Sequence, residues 1–376
     1  MNIKTIHWLG VGLSSPPGII ELLNNKHKVE VWNRSVEKAA LLLQNKIKVK
    51  FLNLDDLDKK LEPDDLIVSM LPANMHLEIA NLAIKNKCHL LTSSYYDPKY
   101  IELEKGFQKN DCLFMCEAGL DPGIDHLLAH KLVYDFQKKI NYEDVENIEF
   151  KSMCGGFPLI ANDFKYKFSW SPVGVIRALN TQAKYIKNFK EIIADRPYEH
   201  VNLITFKNED FETYPNRNSL PYINSYSLDT IRDKIKHFER GTIRLKGWTE
   251  AWKNIFQKIN NKEDIDKLGK ELWENNKYLP NEKDRVLLYV SLKAENKKGE
   301  VVFNKTLFID DTRIIENSSM SNCVSLTVYS TIECILKNKA LIGVKRIFSD
   351  NHNVDYILNR LNNFGIKIQY NEHLHT

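Results

Sequence analysis

The residues predict an α/β fold: a doubly wound parallel sheet, then a mixed α/β domain carrying a small helical insert. Three observations predict it. Short apolar runs alternate with helical patterns as far as Asp125. One of these runs, Leu66–Leu71, is apolar almost throughout, as a strand buried on both faces requires. Beyond Pro122 the alternation gives way to longer strands, the form of a mixed and mostly antiparallel sheet.

Taken in order, Thr5–Leu9 is a strand and Ile19–Leu23 carries a helical apolar face. Val29–Trp32 is a strand, Val36–Gln44 a helix and Val49–Leu52 a strand. After Leu66–Leu71 come a helix across Leu77–Lys85, strand Leu90–Thr92, helix Tyr100–Gln108 and strand Cys112–Met115. Ile124–Phe136 is then a helix, and strands follow at Ile148–Met153, Val201–Phe206, Thr242–Lys246, Val286–Ala294 and Val301–Ile309. The last two form a hairpin around Asn296–Gly299, while Glu250–Lys277 is charged and helical. Ser321–Leu336 is a long apolar helix, suited to a core or a dimer interface. The tail holds a helix and a strand, Ile366–Gln369, that can return to the first sheet. The expected domains are residues 1–123 with a return over 340–376, a second domain from 124–248 and 281–339, and an insert over 249–280.

The chain has 376 residues, enough for two or three domains at roughly 150 residues each. A net charge of +4 from 53 basic and 49 acidic residues, without a basic stripe, argues against nucleic-acid binding. Six cysteines form no CxxC pair and no zinc-type cluster, so no metal is expected and they read as reduced thiols. The N-terminus lacks the apolar core of a signal peptide, and no apolar run approaches the ~18 residues of a membrane span. The expectation is a cytoplasmic protein with no membrane partner.

The first strand runs into Gly10-Val11-Gly12-Leu13-Ser14-Ser15, then Pro16-Pro17 and a helix. Glycines at the first two positions let the chain turn tightly and bring N–H groups close to a pyrophosphate, with the positive helix end behind them. Ser15 stands where a third glycine is usual and can cap the helix, with Pro16 at its first position. The second strand ends Asn33-Arg34-Ser35. NAD calls for an acidic residue here, and there is none. Arg34, Ser35 and Lys38 suit a 2′-phosphate, with Arg34 as the charged clamp, so the expected cofactor is NADP. Ser69-Met70-Leu71-Pro72 follows the fourth strand, at the carboxyl end where ligands of such sheets lie.

Further segments are Thr92-Ser93-Ser94-Tyr95-Tyr96-Asp97-Pro98 and the Gly119–His126 run, GLDPGIDH. Cys154-Gly155-Gly156 precedes Pro158, and Tyr166–Pro172, Pro215–Ser219 and Arg240–Arg244 follow. Together these resemble the saccharopine dehydrogenase family, in its glutamate-forming, NADP-type branch. The resemblance extends from the N-terminus to about residue 250 and is looser beyond. It implies a Rossmann-like domain, a mixed domain that also makes a homodimer, and a substrate cleft between domains. It implies an NADP-dependent oxidoreductase of lysine metabolism acting on a CH–NH group. Such an enzyme interconverts saccharopine with glutamate and aminoadipate semialdehyde. Position by position it implies that Ser94 and Tyr95 touch substrate and that Leu120, Asp121 and Pro122 line nicotinamide and substrate. Arg217, Thr242, Ile243 and Arg244 contact substrate, Cys154 lies in the cleft, and Ser171 serves the cofactor. The sequence departs from the family at Ser15-Pro16, in the shortened Leu159–Asn162 loop and at Asn218.

Saccharopine carries several carboxylates, which arginine binds bidentately, so Arg217 and Arg244 are the natural partners. Asp121 can pair with a substrate ammonium or cap a helix ahead of Pro122. For proton transfer the candidates are Asp121, Tyr95 and Cys154, with His126 beside them. Two other readings stay open: a carboxynorspermidine-type dehydrogenase with a polyamine substrate, and a non-catalytic NADP-binding regulator.

Overall fold

The computed structural model describes residues 1–338 and 341–371. The chain divides into two compact units: Met1–Leu127 with Ser321–Ile366, and Leu128–Met320 with the chain from Lys367.

The first unit opens with β1 (Ile6–Leu9), α1 (Pro16–Asn24), β2 (Val29–Asn33), α2 (Val36–Leu42), β3 (Val49–Phe51) and α3 (Leu54–Asp58). It continues through β4 (Leu66–Ser69), α4 (His76–Asn86), β5 (His89–Thr92), α5 (Glu104–Lys109) and β6 (Leu113–Cys116). α6 (Ile124–Lys139) leads into the second unit. There β7 (Asn147–Pro158) and α7 (Pro172–Leu179) precede β8 (Ala183–Lys187), β9 (Lys190–Ala194), β10 (Asn202–Phe206) and β11 (Glu209–Pro215). α8 (Pro221–Ser225) and β12 (Ile235–Leu245) lead to α9 (Trp248–Ala251), α10 (Lys253–Asn260) and α11 (Ile265–Asn276). The hairpin β13 (Lys283–Glu295) and β14 (Val301–Ile314) follows, then α12 (Ser319–Lys337), β15 (Gly343–Arg346), α13 (Asn351–Asn363) and β16 (Gln369–Asn371).

In the first unit seven strands run in the order β15-β6-β5-β4-β1-β2-β3, and every pair is parallel. β1, β4, β5 and β6 are buried at every residue, which is why each is mostly apolar. The order reverses between β1 and β4, so their carboxyl ends, Leu9 and Ser69, open the crevice where such sheets take ligands. Helices cover the sheet, and α1 meets α12 at Gly18. A Cβ at Gly18 would lie 2.4 Å from the Ser325 carbonyl oxygen, so only glycine permits this approach. The Gly18 N–H donates to Ser325 Oγ at 3.0 Å.

The seventh strand corrects one expectation. The strand returning to the first sheet is β15, whereas the expected tail strand Ile366–Gln369 is displaced to β16, which pairs antiparallel with β14 of the second sheet. Charge decides the placement of β15. Arg346 reaches Glu117, a carboxylate buried at the end of β6, at 2.6 Å, and such a charge is expensive to bury unpaired. Of the expected return, residues 340 and 372–376 lie outside the described residues, as does residue 339 of the expected second domain.

The second unit is a mixed sheet, ordered β10-β11-β12-β7-β13-β14-β16, with β8 paired to β12 and β9 to β8. Only the β12–β7 pair is parallel. The sheet coils until Phe206 of β10 stacks on Tyr289 of β13, ring centroids 5.4 Å apart. One face packs Met153, Phe157, Phe211, Ile243, Leu287 and Phe308 around that stack. A separate aromatic core holds Tyr166, Tyr214, Trp248, Trp252 and Phe256, against which α7, α10 and α11 bury Ile176, Ile259 and Leu272. The sequence reading did not foresee α7, the β8–β9 hairpin or β11. The strands among them are short and rich in charged residues; β8 and β11 gain their pairing from β12, and β9 from β8.

The Gly18 contact yields a prediction. Gly18→Ala should destabilise the protein by about 1–3 kcal/mol, the usual cost of overpacking a tight contact. Urea unfolding would show a lower midpoint with unchanged slope.

Candidate active site

The loop after β1 is held from within. Gly10 adopts φ +89°, and a Cβ there would press on the Met70 carbonyl at 3.0 Å, so glycine serves both turn and close approach. Val11 N–H donates to Asn33 Oδ1 at 2.9 Å, tying the loop to the end of β2. Ser15 does not cap α1 as expected. A cap bonds the N–H of the second or third helical residue, but Pro17 has none and Gly18 spends its own on Ser325. Ser15 Oγ instead donates to the Gly10 carbonyl at 3.2 Å and accepts from Gly12 at 3.4 Å, closing the loop on itself. The first helical turn therefore offers an anion its dipole but no free N–H. The N–H groups of Leu13 and Ser14 make no bond among the described residues. Gly12 faces open space, with nothing within 4 Å of a Cβ built there. This is a cradle fit for a pyrophosphate. At the end of β2, Arg34 and Ser35 are exposed, and Arg34 makes no ion pair among the described residues.

At the crevice, β4 and β5 end in a polar cluster around His76, the first residue of α4. Ser69 Oγ lies 3.0 Å from His76 Nδ1, and Ser94 Oγ lies 2.8 Å from Nε2. Thr92 Oγ1 stands 3.2 Å from the same Nε2 and donates to the Ser69 carbonyl. Burial lowers the His76 pKa from 6.5 to about 4, so the ring is neutral. Leu71 is half-buried and Pro72 exposed in the loop between Ser69 and His76. Beyond β5, Tyr95 OH donates to Asp121 Oδ1 at 2.6 Å. Leu120 and Pro122, either side of Asp121, are buried. Asp121 is not the helix cap, since α6 begins at Ile124, three residues further on. His126 is buried against Glu117, 3.5 Å away, and belongs to the packing behind the loop.

In the second unit β12 presents alternate residues to opposite faces. Thr242 pairs with Tyr214 and with Cys154 across the sheet, and Arg244 follows on the same face. Arg244 is 5% exposed. Its guanidinium lies over the rings of Tyr166 at 4.9 Å, Tyr214 at 5.4 Å and Trp248 at 5.5 Å. It donates to Tyr214 OH and to the Ile243 carbonyl, while its Nε has no partner. Among the described residues no carboxylate pairs with it. Glu212, its cross-strand neighbour, directs both oxygens to Gly247 and Thr249. The buried Trp248 Nε1 and Tyr278 OH are likewise without partners. Ile243, expected at the substrate, turns its side chain to the opposite face, in the aromatic packing with Phe157 and Phe211, and offers the Arg244 side its backbone carbonyl. Arg217, half-buried just past β11, adopts φ +57°. Ser171 is exposed and caps α7 by accepting from the Gly174 N–H at 3.2 Å, which leaves its hydroxyl hydrogen available.

Thus Gly10–Ser15, Asn33, Arg34 and Ser35 line one edge of the first sheet, and Ser94, Tyr95 and Asp121 another part of the same crevice. Cys154, Thr242 and Arg244 share a face of the second unit. Sequence reasoning missed His76, Trp248, Tyr214 and Tyr278. A histidine opening the helix after β4, ahead of the Thr92-Ser93-Ser94 run, was the one available signal. The aromatic partners of Arg244 are distant in sequence and carried none.

A parallel sheet with a glycine loop at its switch point and a basic residue after β2 defines a dinucleotide-binding chain. Residues 6–115 match the saccharopine dehydrogenase NADP binding domain, and residues 119–366 the saccharopine dehydrogenase C-terminal domain. The chain belongs to the saccharopine dehydrogenase family. It is 34% identical over 268 residues to saccharopine dehydrogenase (NADP(+), L-glutamate-forming) of Saccharomyces cerevisiae, covering 67% of this chain and 57% of that protein. It is 32% identical over 262 residues to the mitochondrial alpha-aminoadipic semialdehyde synthase of Rattus norvegicus, covering 66% of this chain and 27% of that protein. The chain thus matches about a quarter to just over half of these relatives' length. The apo saccharopine dehydrogenase (L-Glu forming) structure from Saccharomyces cerevisiae superposes with TM-score 0.80 at 25% identity, covering 99% of this chain and 100% of that one. A homospermidine synthase from Legionella pneumophila superposes with TM-score 0.64 at 13% identity, covering 98% and 91%, a likeness in fold. Among the described residues no helix is long and apolar enough to cross a membrane.

The neutral His76 makes stability depend on pH. Its folded pKa lies below the ordinary 6.5, so the unfolded chain takes up the proton first. Its contribution, about 3 kcal/mol, is present above pH 6.5 and lost as pH falls toward 4. His76→Gln should flatten that part of the slope, read as urea midpoints across this pH range for both proteins.

Proposed function

We propose that this chain is an NADP-dependent saccharopine dehydrogenase of the glutamate-forming type, oxidising the secondary amine of saccharopine and releasing glutamate and aminoadipate semialdehyde. The observation that carries this reading is Arg244. An arginine buried to 5% exposure without a carboxylate is costly, and three aromatic faces offset only part of that cost. A ligand carboxylate supplies the missing anion, and the unpartnered Nε is a donor for it. The same cation disfavours a polyamine, whose ammonium groups it would repel.

The chain's own residues divide the work. Leu13 and Ser14 N–H groups bind the pyrophosphate, while Arg34 and Ser35 hold the 2′-phosphate. Bound NADP supplies the hydride acceptor. Arg244, Arg217 and Thr242 hold substrate carboxylates and so orient the C–H bond to be broken. Asp121, with Tyr95 donating to it, is the base beside the substrate nitrogen. Water then adds to the resulting imine and the C–N bond breaks, leaving amine and aldehyde. Cys154, on the face shared with Thr242, lines the substrate side. We further propose a homodimer in the cytoplasm. Its support is an exposed apolar cluster on the second unit, Leu159, Ile160, Leu279 and Ile314, with Ile160 at 84% exposure, and burial of all six cysteines.

Saccharopine with NADP should produce a rise in nicotinamide absorbance, faster than with NAD. Absence of turnover despite NADPH binding would refute the reading in favour of a non-catalytic binder. Arg34→Asp should shift preference toward NAD. Arg244→Met should raise the saccharopine KM about 10- to 100-fold, the loss of one or two charged hydrogen bonds. NADPH affinity should stay unchanged in that variant, measured by fluorescence titration.

A further inference from the structure

We infer that His76 is a positioning residue that commits the Ser94 hydroxyl to act as a hydrogen-bond donor toward the substrate. The inference rests on the proposed function, with Ser94 taken as a substrate contact as the family resemblance implies, and assigns a role to a residue the sequence left unread.

Ser69 is fully buried, and its hydroxyl has one side-chain neighbour within bonding distance, His76 Nδ1 at 3.0 Å. A buried hydroxyl hydrogen without an acceptor costs about 1–3 kcal/mol, so Ser69 donates and Nδ1 accepts. The neutral ring then carries its proton on Nε2. Thr92 cannot donate to Nε2, because its hydrogen goes to the Ser69 carbonyl at 3.0 Å. Its oxygen also accepts from the Ser94 N–H at 3.2 Å, which leaves one lone pair for a weaker share of the Nε2 proton. The main acceptor is Ser94 Oγ at 2.8 Å. Ser94, receiving from His76, keeps its own hydrogen for another group. It is half-buried at the open end of β5, with no other side-chain bond, so that hydrogen points to a ligand. The group it meets is an acceptor, which on saccharopine means a carboxylate oxygen and not an ammonium. Lowering of the His76 pKa by burial supports the neutral ring that the chain of donors requires.

The test compares His76→Leu, Ser69→Ala, Ser94→Ala and His76→Leu/Ser94→Ala with the parent, reading saccharopine KM, NADPH affinity and melting temperature. His76→Leu and Ser94→Ala should each raise KM roughly tenfold at unchanged NADPH affinity, the loss of one directed hydrogen bond. The double variant should be no worse than Ser94→Ala alone, because His76 acts through Ser94. Ser69→Ala, at a residue no substrate can touch, should also raise KM, since Nδ1 is then free to hold the proton. His76→Gln, which retains a donor toward Ser94, should recover most of the loss. Full additivity in the double variant, an unchanged KM in Ser69→Ala, or a His76→Gln variant as impaired as His76→Leu overturns the inference while the proposed function stands. If His76→Leu does not fold, Ser69→Ala and His76→Gln decide it. Lack of turnover in the parent protein overturns both.

Discussion

A parallel sheet cannot leave a face in water, and this requirement organises the first unit. Its strands are apolar on both sides, so helices must cover both. One cover, α12, arrives from far along the chain and meets α1 at a single glycine. That contact reaches into the chemistry. It takes the Gly18 N–H for Ser325, and the two prolines before it have none to give. The start of α1 is thereby sealed, and Ser15 turns inward to close the loop. What remains for an anion is the backbone of Leu13 and Ser14, one step ahead of the helix. Packing on the back of α1 thus decides which atoms its front can offer.

The second unit solves a different problem: how to hold a cation out of water without cancelling it. A carboxylate beside Arg244 would stabilise the empty fold and compete with an anionic ligand. The cross-strand carboxylate is instead spent on the Gly247–Thr249 turn, and aromatic rings take its place. Ring faces attract the charge while leaving hydrogen-bond donors available. The sheet that carries Arg244 is itself made rigid by coiling, with Phe206 closing on Tyr289 and Ile243 pinned on the opposite face. Alternation along β12 places the pinned residue and the charged one next to each other in sequence and on opposite sides of the sheet.

Polar groups at the carboxyl ends of β4 and β5 follow the same logic on a smaller scale. Ser69, Thr92 and His76 are buried and so must satisfy one another, and the only member with access to the crevice is Ser94. Full satisfaction of the buried members dictates what the exposed one can do.

Much of this was legible in the residues. The parallel sheet, the glycine loop, the basic residue after β2 and the GLDPGIDH run lie within short stretches, where periodicity and local spacing carry the information. The family matches over residues 6–115 and 119–366 agree with that reading. Ser15 and Asp121 were each open to helix capping in sequence, and neither caps: Ser325 takes the Gly18 N–H, and α6 begins three residues beyond Asp121, whose carboxylate accepts from Tyr95. The resemblance grouped Ile243 with Thr242 and Arg244, and the pleat turns its side chain to the opposite face. β15 and β16 carry no apolar pattern of their own, so their sheets were chosen by Glu117 and by the open edge of β14. Sequence alone determined the class of fold and the kinds of groups available, because backbone preference and apolar period act over a few residues. Tertiary structure decided which of those groups are spent and which stay available, because burial makes each polar atom find a partner wherever the chain brings one.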